Sequence, residues 1–306
     1  MRLRRQRRVI QAIIALMVII IATIVILQFV DPFRRYPSKG KTSPHPSIAD
    51  VRIPTQPGKL VYQKNGYIVD YSNADLGYVS VSGPDDGNVK KVQLLIGEVT
   101  YTYDLTSTTY TILPLQLGSG NYTVRMLKNS SGNAYTVMAS TSFSAKVADE
   151  LSVFLYPNQV VDYNLQTLAV NKSFEITKND DSEVKRVYTI YHYVIDLINY
   201  DTAKAKLAND VYMLPVLDRI VNEKTGICFD YAALMTAMLR VQGIPTRLIT
   251  GYTDLGYHAW VEIYLRDVGW INPRIYFKEK IWKRVDPTFD DSFGIYLGKY
   301  QKKYTY

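Results

Sequence analysis

Gly226-Ile227-Cys228-Phe229-Asp230-Tyr231-Ala232-Ala233-Leu234 holds the single cysteine of a 306-residue chain and runs directly into Met235–Val241. Small and apolar residues without a breaker predict a helix there, stopped at Gly243, with Ile244-Pro245 opening a new element. The thiol would then sit in the first helical turn. Unpaired N–H groups and the helix dipole at that position stabilise a thiolate. Gly226 lets the backbone turn sharply and a substrate come close. Asp230, in the same turn, complements the dipole.

Two further segments complete a set of chemistry-bearing residues. Arg247–Tyr252 reads as a strand, followed by His258-Ala259-Trp260-Val261-Glu262-Ile263-Tyr264-Leu265. In a strand of period two, His258, Trp260, Glu262 and Tyr264 share one face, toward a cleft, while the alternate residues would pack on the cysteine helix. Trp260 is a candidate cleft wall, and Arg247 is expected to hold a carboxylate inside the core. Further on, Val285-Asp286-Pro287-Thr288 ends a strand with a carboxylate. Cys228, His258 and Asp286 therefore follow one another at intervals of 30 and 28 residues. An imidazole can take the proton of a thiol, and a carboxylate can fix the imidazole tautomer and support its positive charge.

The four segments G-x-C-x-D-x-A at 226–232, G-I-P-x-R at 243–247, H-A-W-V-E at 258–262 and D-P-T at 286–288 resemble the transglutaminase-like superfamily, a branch of the papain-like cysteine enzymes. The resemblance covers roughly residues 185–292 and implies an α+β core in which a cysteine-bearing helix packs on an antiparallel sheet. It implies Cys228 as nucleophile, His258 as general base and acid, and Asp286 as the orienting carboxylate. The spacing departs from the family at one point. Gly269-Trp270 lies 16 residues before Asp286, whereas Trp282 lies four before it, so 271–281 read as an insertion. Asn272 also precedes a proline and competes with Asp286 for the third position; the D-P-T context favours Asp286. Tyr212 is a candidate second oxyanion donor.

The charge of the chain divides sharply. Of 36 basic and 28 acidic residues, nine basic and one acidic lie in residues 1–41, a net +8, which leaves 27 of each sign over 42–306. A neutral globular part removes the main support for nucleic-acid binding. Between the basic clusters, Val9–Val30 has no charged residue and is apolar apart from the amides Gln11 and Gln28 and the hydroxyl of Thr23. Its 22 residues span about 33 Å as a helix, enough to cross a bilayer. No small-x-small cleavage site follows, so a retained transmembrane helix contacting the lipid bilayer through 9–30 is expected. Five arginines before it against four basic residues after it favour a cytoplasmic N-terminus, with the C-terminal bulk outside the cytoplasm of a single-pass, membrane-anchored protein of bacterial type.

After the basic N-terminus at 1–8 and the helix at 9–30, residues 31–58 contain six of the 13 prolines and read as a stalk, with His45 a solvated linker residue. Residues 59–148 carry short β-branched or aromatic runs at Val79–Val81, Val92–Ile96, Tyr101–Leu105, Thr109–Leu113, Tyr122–Leu127 and Ala134–Ala139, separated by turn clusters. They predict a small immunoglobulin-like β-sandwich. By the resemblance above, residues 149–306 are expected to form a transglutaminase-like α+β domain. There, Val184, Val187, Tyr191, Val194 and Ile198 mark one face of a helix over Ser182–Tyr200, capped by Asp181 or Ser182. A second helical stretch is expected from Thr202, started or kinked in its last part by Pro215.

The sequence thus predicts a thiol enzyme acting on a protein or peptide amide by cross-linking, deamidation or proteolysis through a thioester. The alternative is a non-catalytic cell-surface adhesion or assembly protein on the same fold. One cysteine excludes an internal disulfide and any multi-thiolate zinc site, and three histidines argue against a His-rich metal centre. The chemistry expected needs no metal and no cofactor.

Overall fold

The computed structural model describes residues 43–105, 109–208, 210–253, 256–271 and 300–306. The expected transmembrane helix at 9–30 and the third-position candidates Asp286 and Asn272 lie outside these residues. Among the described residues, no helix is long and apolar enough to cross a membrane. Residues from Thr42 onward make one compact unit.

Its first part is two four-stranded antiparallel sheets. One has the order β1-β2-β3-β6, from β1 (Val61–Lys64), β2 (Tyr67–Asp70), β3 (Tyr78–Ser82) and β6 (Thr111–Pro114). The other has the order β5-β4-β7-β8, from β4 (Lys90–Ile96), β5 (Val99–Leu105), β7 (Gly120–Ser131) and β8 (Ala134–Ala145). Alternation decides which side chains enter the core of the second sheet. Val92 pairs with Tyr103 and Met126, and Leu94 with Tyr101 and Val124; all six are buried. Every residue of β3 is buried, its serines included. The sheets meet where Tyr71, just past β2, stacks on Phe143 of β8 with ring centroids 5.2 Å apart. Two strands, β1 and β2, have no counterpart among the runs read from the sequence, and they are joined by Asn65-Gly66. Asn65 and Gly66 there take positive φ, as a tight hairpin requires.

The second half of the expected stalk is docked rather than extended. His45 Nε2 lies 2.9 Å from the carbonyl of Thr177, Arg186 donates to the Ser43 hydroxyl, and Thr55 is hydrogen-bonded to both Tyr78 and Asn73. Proline excludes regular structure here, but it does not prevent side chains and carbonyls from tying the segment down.

Among the described residues, five α-helices and a third four-stranded sheet follow. Helix α1 (Leu168–Thr177) had no sequence forecast, whereas α2 (Glu183–Leu197) matches the amphipathic stripe, with Ser182 as its N-cap accepting from the Lys185 N–H. The stretch from Thr202 is two short helices, α3 (Thr202–Leu207) and α4 (Leu217–Glu223), not one. Leu214-Pro215 interrupts the hydrogen-bond ladder, and residues 210–216 run as non-helical chain past the cleft described below. Helix α5 (Cys228–Val241) is the centre of this half. Each residue from Asp230 to Val241 is buried, and the helix packs against α1, α2, α4 and the sheet strands β11 (Thr246–Thr253) and β12 (Gly256–Leu265). Its end is a Schellman turn: Gly243 donates to Arg240 and Ile244 to Leu239, with Gly243 at φ +69°. The sheet order is β13-β12-β11-β14, completed by β13 (Gly269–Ile271) and β14 (Tyr300–Thr305), all antiparallel.

Candidate active site

Cys228 is the first residue of α5 and is partly exposed with a free thiol. The chain leading to it is fixed by β9 (Asn199–Tyr200) and β10 (Thr225–Gly226), a short parallel pair, and by the Tyr231 hydroxyl donating to the Ile198 carbonyl at 2.6 Å. Asp230 does more than complement the dipole. Its carboxylate accepts from the Ile227 N–H at 2.8 Å and takes the Lys204 ammonium on both oxygens at 2.7–2.8 Å, while only 1% of it is exposed. A buried carboxylate needs both a cation and hydrogen-bond donors, and here it has them. This explains Gly226: a Cβ there would stand 2.7 Å from the Asp230 Cβ. The glycine is required by the folded-back aspartate, and the aspartate fixes the turn that presents the thiol.

His258 sits on β12 opposite Gly251 of β11 and is buried, with 5% exposed. Cys228 and His258 both line one cavity of about 260 Å³. Tyr212, Phe229, Tyr257 and Tyr306 line it too. Tyr212, the oxyanion candidate, enters from the non-helical run before α4, its ring 6.3 Å from that of Phe229. As a whole residue it is 60% exposed, yet its phenol end is desolvated, which together with the nearby Asp104 and Tyr257 pushes its pKa up to about 12. It stays protonated and able to donate at any physiological pH.

Trp260 does not line this cavity. Its ring packs edge-on to Tyr300 at 4.9 Å and lies over Gly251, where a Cβ would come within 2.9 Å of it and collide with the Gln301 carbonyl. It shares its strand face with His258, with the two rings near-parallel at 6.5 Å, so it backs the histidine rather than the cleft. Arg247 stacks over Trp270 at 3.7 Å and Phe154 at 4.5 Å and reaches Glu262 at 3.8 Å; Glu262 also pairs with Lys302. These contacts are structural cation–π and ion-pair contacts.

Sequence reasoning missed Tyr257, Tyr306 and Lys204. Tyr257 directly precedes His258 at the strand's open end, where strict alternation would have turned it away from the cleft. Lys204 could have been sought as the cation a buried Asp230 demands; Tyr306 gave no local signal. Among the described residues, no group of three or more His, Cys, Asp or Glu could hold a metal ion.

A helix-borne cysteine and a strand-borne histidine facing one cavity is the arrangement implied by the four sequence motifs. A family model described as "Transglutaminase-like superfamily" matches residues 170–273. Residues 170–273 are a transglutaminase-like domain. The match takes in Cys228, His258 and Asn272 and stops before Asp286. Uncharacterized protein YebA of Bacillus subtilis is 27% identical over 128 residues, 35% of this chain and 16% of that protein. Protein-glutamine gamma-glutamyltransferase of Pseudomonas aeruginosa is 29% identical over 86 residues, 24% of this chain and 11% of that protein. The chain thus aligns with less than a fifth of either relative's length. Among solved structures, the periplasmic domain of TgpA from Pseudomonas aeruginosa is 12% identical with a TM-score of 0.30, covering 69% of this chain and 93% of that one. The transglutaminase-like domain is therefore assigned from sequence.

Proposed function

We propose that the transglutaminase-like domain is a thiol enzyme that transfers the acyl group of an amide in a protein or peptide. The observation that carries this is the shared cavity of Cys228 and His258, with the thiol at the N-terminus of a buried helix. His258 takes the thiol proton and the thiolate attacks the carbonyl carbon, forming the S–C bond. The oxyanion is held by backbone N–H groups at the start of α5 and by the Tyr212 hydroxyl. His258 then returns the proton to the leaving nitrogen as the C–N bond breaks, leaving a thioester. The thioester passes to an amine, giving a cross-link, or to water, giving deamidation or proteolysis. The Pseudomonas relative named a protein-glutamine gamma-glutamyltransferase supports a glutamine carboxamide as donor, with ammonia leaving. Asp286 is proposed as the residue that orients His258, with Asn272 its competitor. Val9–Val30 is proposed as the membrane anchor, which puts the catalytic domain outside the cytoplasm, and the two N-terminal sheets as an immunoglobulin-like module beside it.

The test is to incubate the full chain in detergent with a glutamine peptide and a fluorescent primary amine. Ammonia release with amine incorporation or with conversion to glutamate, abolished by Cys228→Ala, supports the proposal. Amine or water capture at a backbone amide instead makes it a peptidase. No turnover and no thioester adduct of any of these peptides overturns it.

A further inference from the structure

The cavity that brings Cys228 and His258 together has an unusual lining. Among its described residues, His258 is the only side chain that can carry a positive charge, and none is a carboxylate. Aromatic rings dominate it, among them Tyr212, Phe229, Tyr257 and Tyr306. These rings are held in place. The Tyr257 hydroxyl donates to Thr250 Oγ1 at 2.7 Å, and its ring packs edge-on to Tyr252 at 5.2 Å. Tyr306 is 8% exposed, with its backbone paired to Leu248 on β11 and its carbonyl accepting from Arg240. Its ring stands edge-on to Tyr101 and Tyr103 of β5, at 6.2 and 6.1 Å, and Tyr103 in turn accepts a hydrogen bond from Gln116 at 3.2 Å. The N-terminal sheets thus hold one wall of the cavity. A wall fixed by packing binds without first being ordered.

We propose, building on the thiol-enzyme reading, that this cavity is an acyl-side subsite selecting an uncharged acyl group that lays aromatic or aliphatic carbon, such as the methylenes of a glutamine side chain, against the rings next to the reacting carbonyl, with Tyr257 and Tyr306 as the residues that set the selection. At about 260 Å³ the space exceeds the roughly 150 Å³ apolar cavity that suffices for benzene. Burial of the acyl group's apolar surface drives its binding, whereas a charged acyl group would lose its water and meet, among the described lining residues, no cation except His258, which the thiolate already engages.

Two activated esters with the same leaving group test this: p-nitrophenyl 3-phenylpropionate and the mono-p-nitrophenyl ester of adipic acid. The Cys228 thiolate attacks the ester carbonyl, the S–C bond forms, the C–O bond breaks and p-nitrophenolate leaves. With the full chain in detergent, and the Cys228→Ala rate subtracted, kcat/KM favours the phenylpropionyl ester by about thirtyfold. Tyr257, about half exposed, can be changed with little risk to folding. Tyr257→Lys lowers that preference at least tenfold, through KM of both esters, while Tyr257→Phe retains it. Iodoacetamide alkylates Cys228 to completion in all three proteins, whatever its rate, which shows that the thiol stays accessible. Equal kcat/KM for the two esters, or a preference unmoved by Tyr257→Lys, overturns the subsite while leaving the thiol enzyme standing. No Cys228 adduct with either ester overturns both.

Discussion

The two ends of α5 solve opposite problems with the same materials. At the C-terminal end, Arg240 is 2% exposed and donates to three main-chain carbonyls, those of Thr246, Tyr156 and Tyr306, at 2.7–3.0 Å. Burial pushes its pKa down to about 10, so it is still a cation at neutral pH, and it pins the helix to β11, to the segment after the N-terminal sheets and to the end of β14. At the N-terminal end the fixed ion is Asp230, neutralised by Lys204, and two residues before it the thiol faces a cavity. One end is closed by satisfied polar groups, and the other is held equally firmly but leaves one reactive atom uncovered. The difference teaches that the rigidity of the helix is what aims the thiol, and that the reactive residue itself should contribute little to stability.

The largest effect that would break this contrast is on chemistry. Cys228→Ala removes acyl transfer altogether, a loss of at least about 10⁴-fold, while shifting unfolding free energy by less than about 1 kcal/mol. A denaturation curve beside an activity assay reads both, and a Cys228→Ala protein that unfolds early would make the cysteine a core residue. Next comes Arg240→Ala, expected to cost about 4 kcal/mol because three carbonyls lose a charged donor and a cavity opens. An unchanged urea midpoint would show that the C-terminal end is not the lock. Lys204→Met leaves the Asp230 carboxylate buried beside one N–H and should cost about 3 kcal/mol, with a fall in Cys228 alkylation as the turn loosens. Smallest is Tyr212→Phe, which removes one proposed oxyanion donor. It should lower kcat about tenfold to a hundredfold, leave KM within about twofold and leave stability unchanged; a change confined to KM would assign Tyr212 to binding instead.

How far the sequence carried depends on how local each signal is. The start and stop of α5 were legible because Cys228–Val241 is a mostly small and apolar run with no Gly or Pro in it, followed by a positive-φ glycine at Gly243. The period-two pattern of β12 and the stripe of α2 were legible for the same reason, as were six strands of the N-terminal sheets. Helix α1 was hidden because two of its four buried positions, Ser173 and Thr177, are polar, and its N-cap makes no side-chain hydrogen bond. The docking of residues 43–58 could not be seen at all, since His45 reaches Thr177 across 132 positions. Within the site, Cys228 and His258 were found from motif context. The aromatic lining was not, because Tyr306 joins the cavity through partners on β5 some 200 residues earlier in the chain.

The most direct test of the thiol–imidazole pair is the rate of Cys228 alkylation by iodoacetamide from pH 5 to 9, in the native chain and in His258→Ala. The pair predicts alkylation that continues well below pH 7 in the native protein and drops at least about tenfold at pH 6 without the histidine. Labelling that appears only above about pH 8 in both proteins, as for an ordinary thiol, would contradict it.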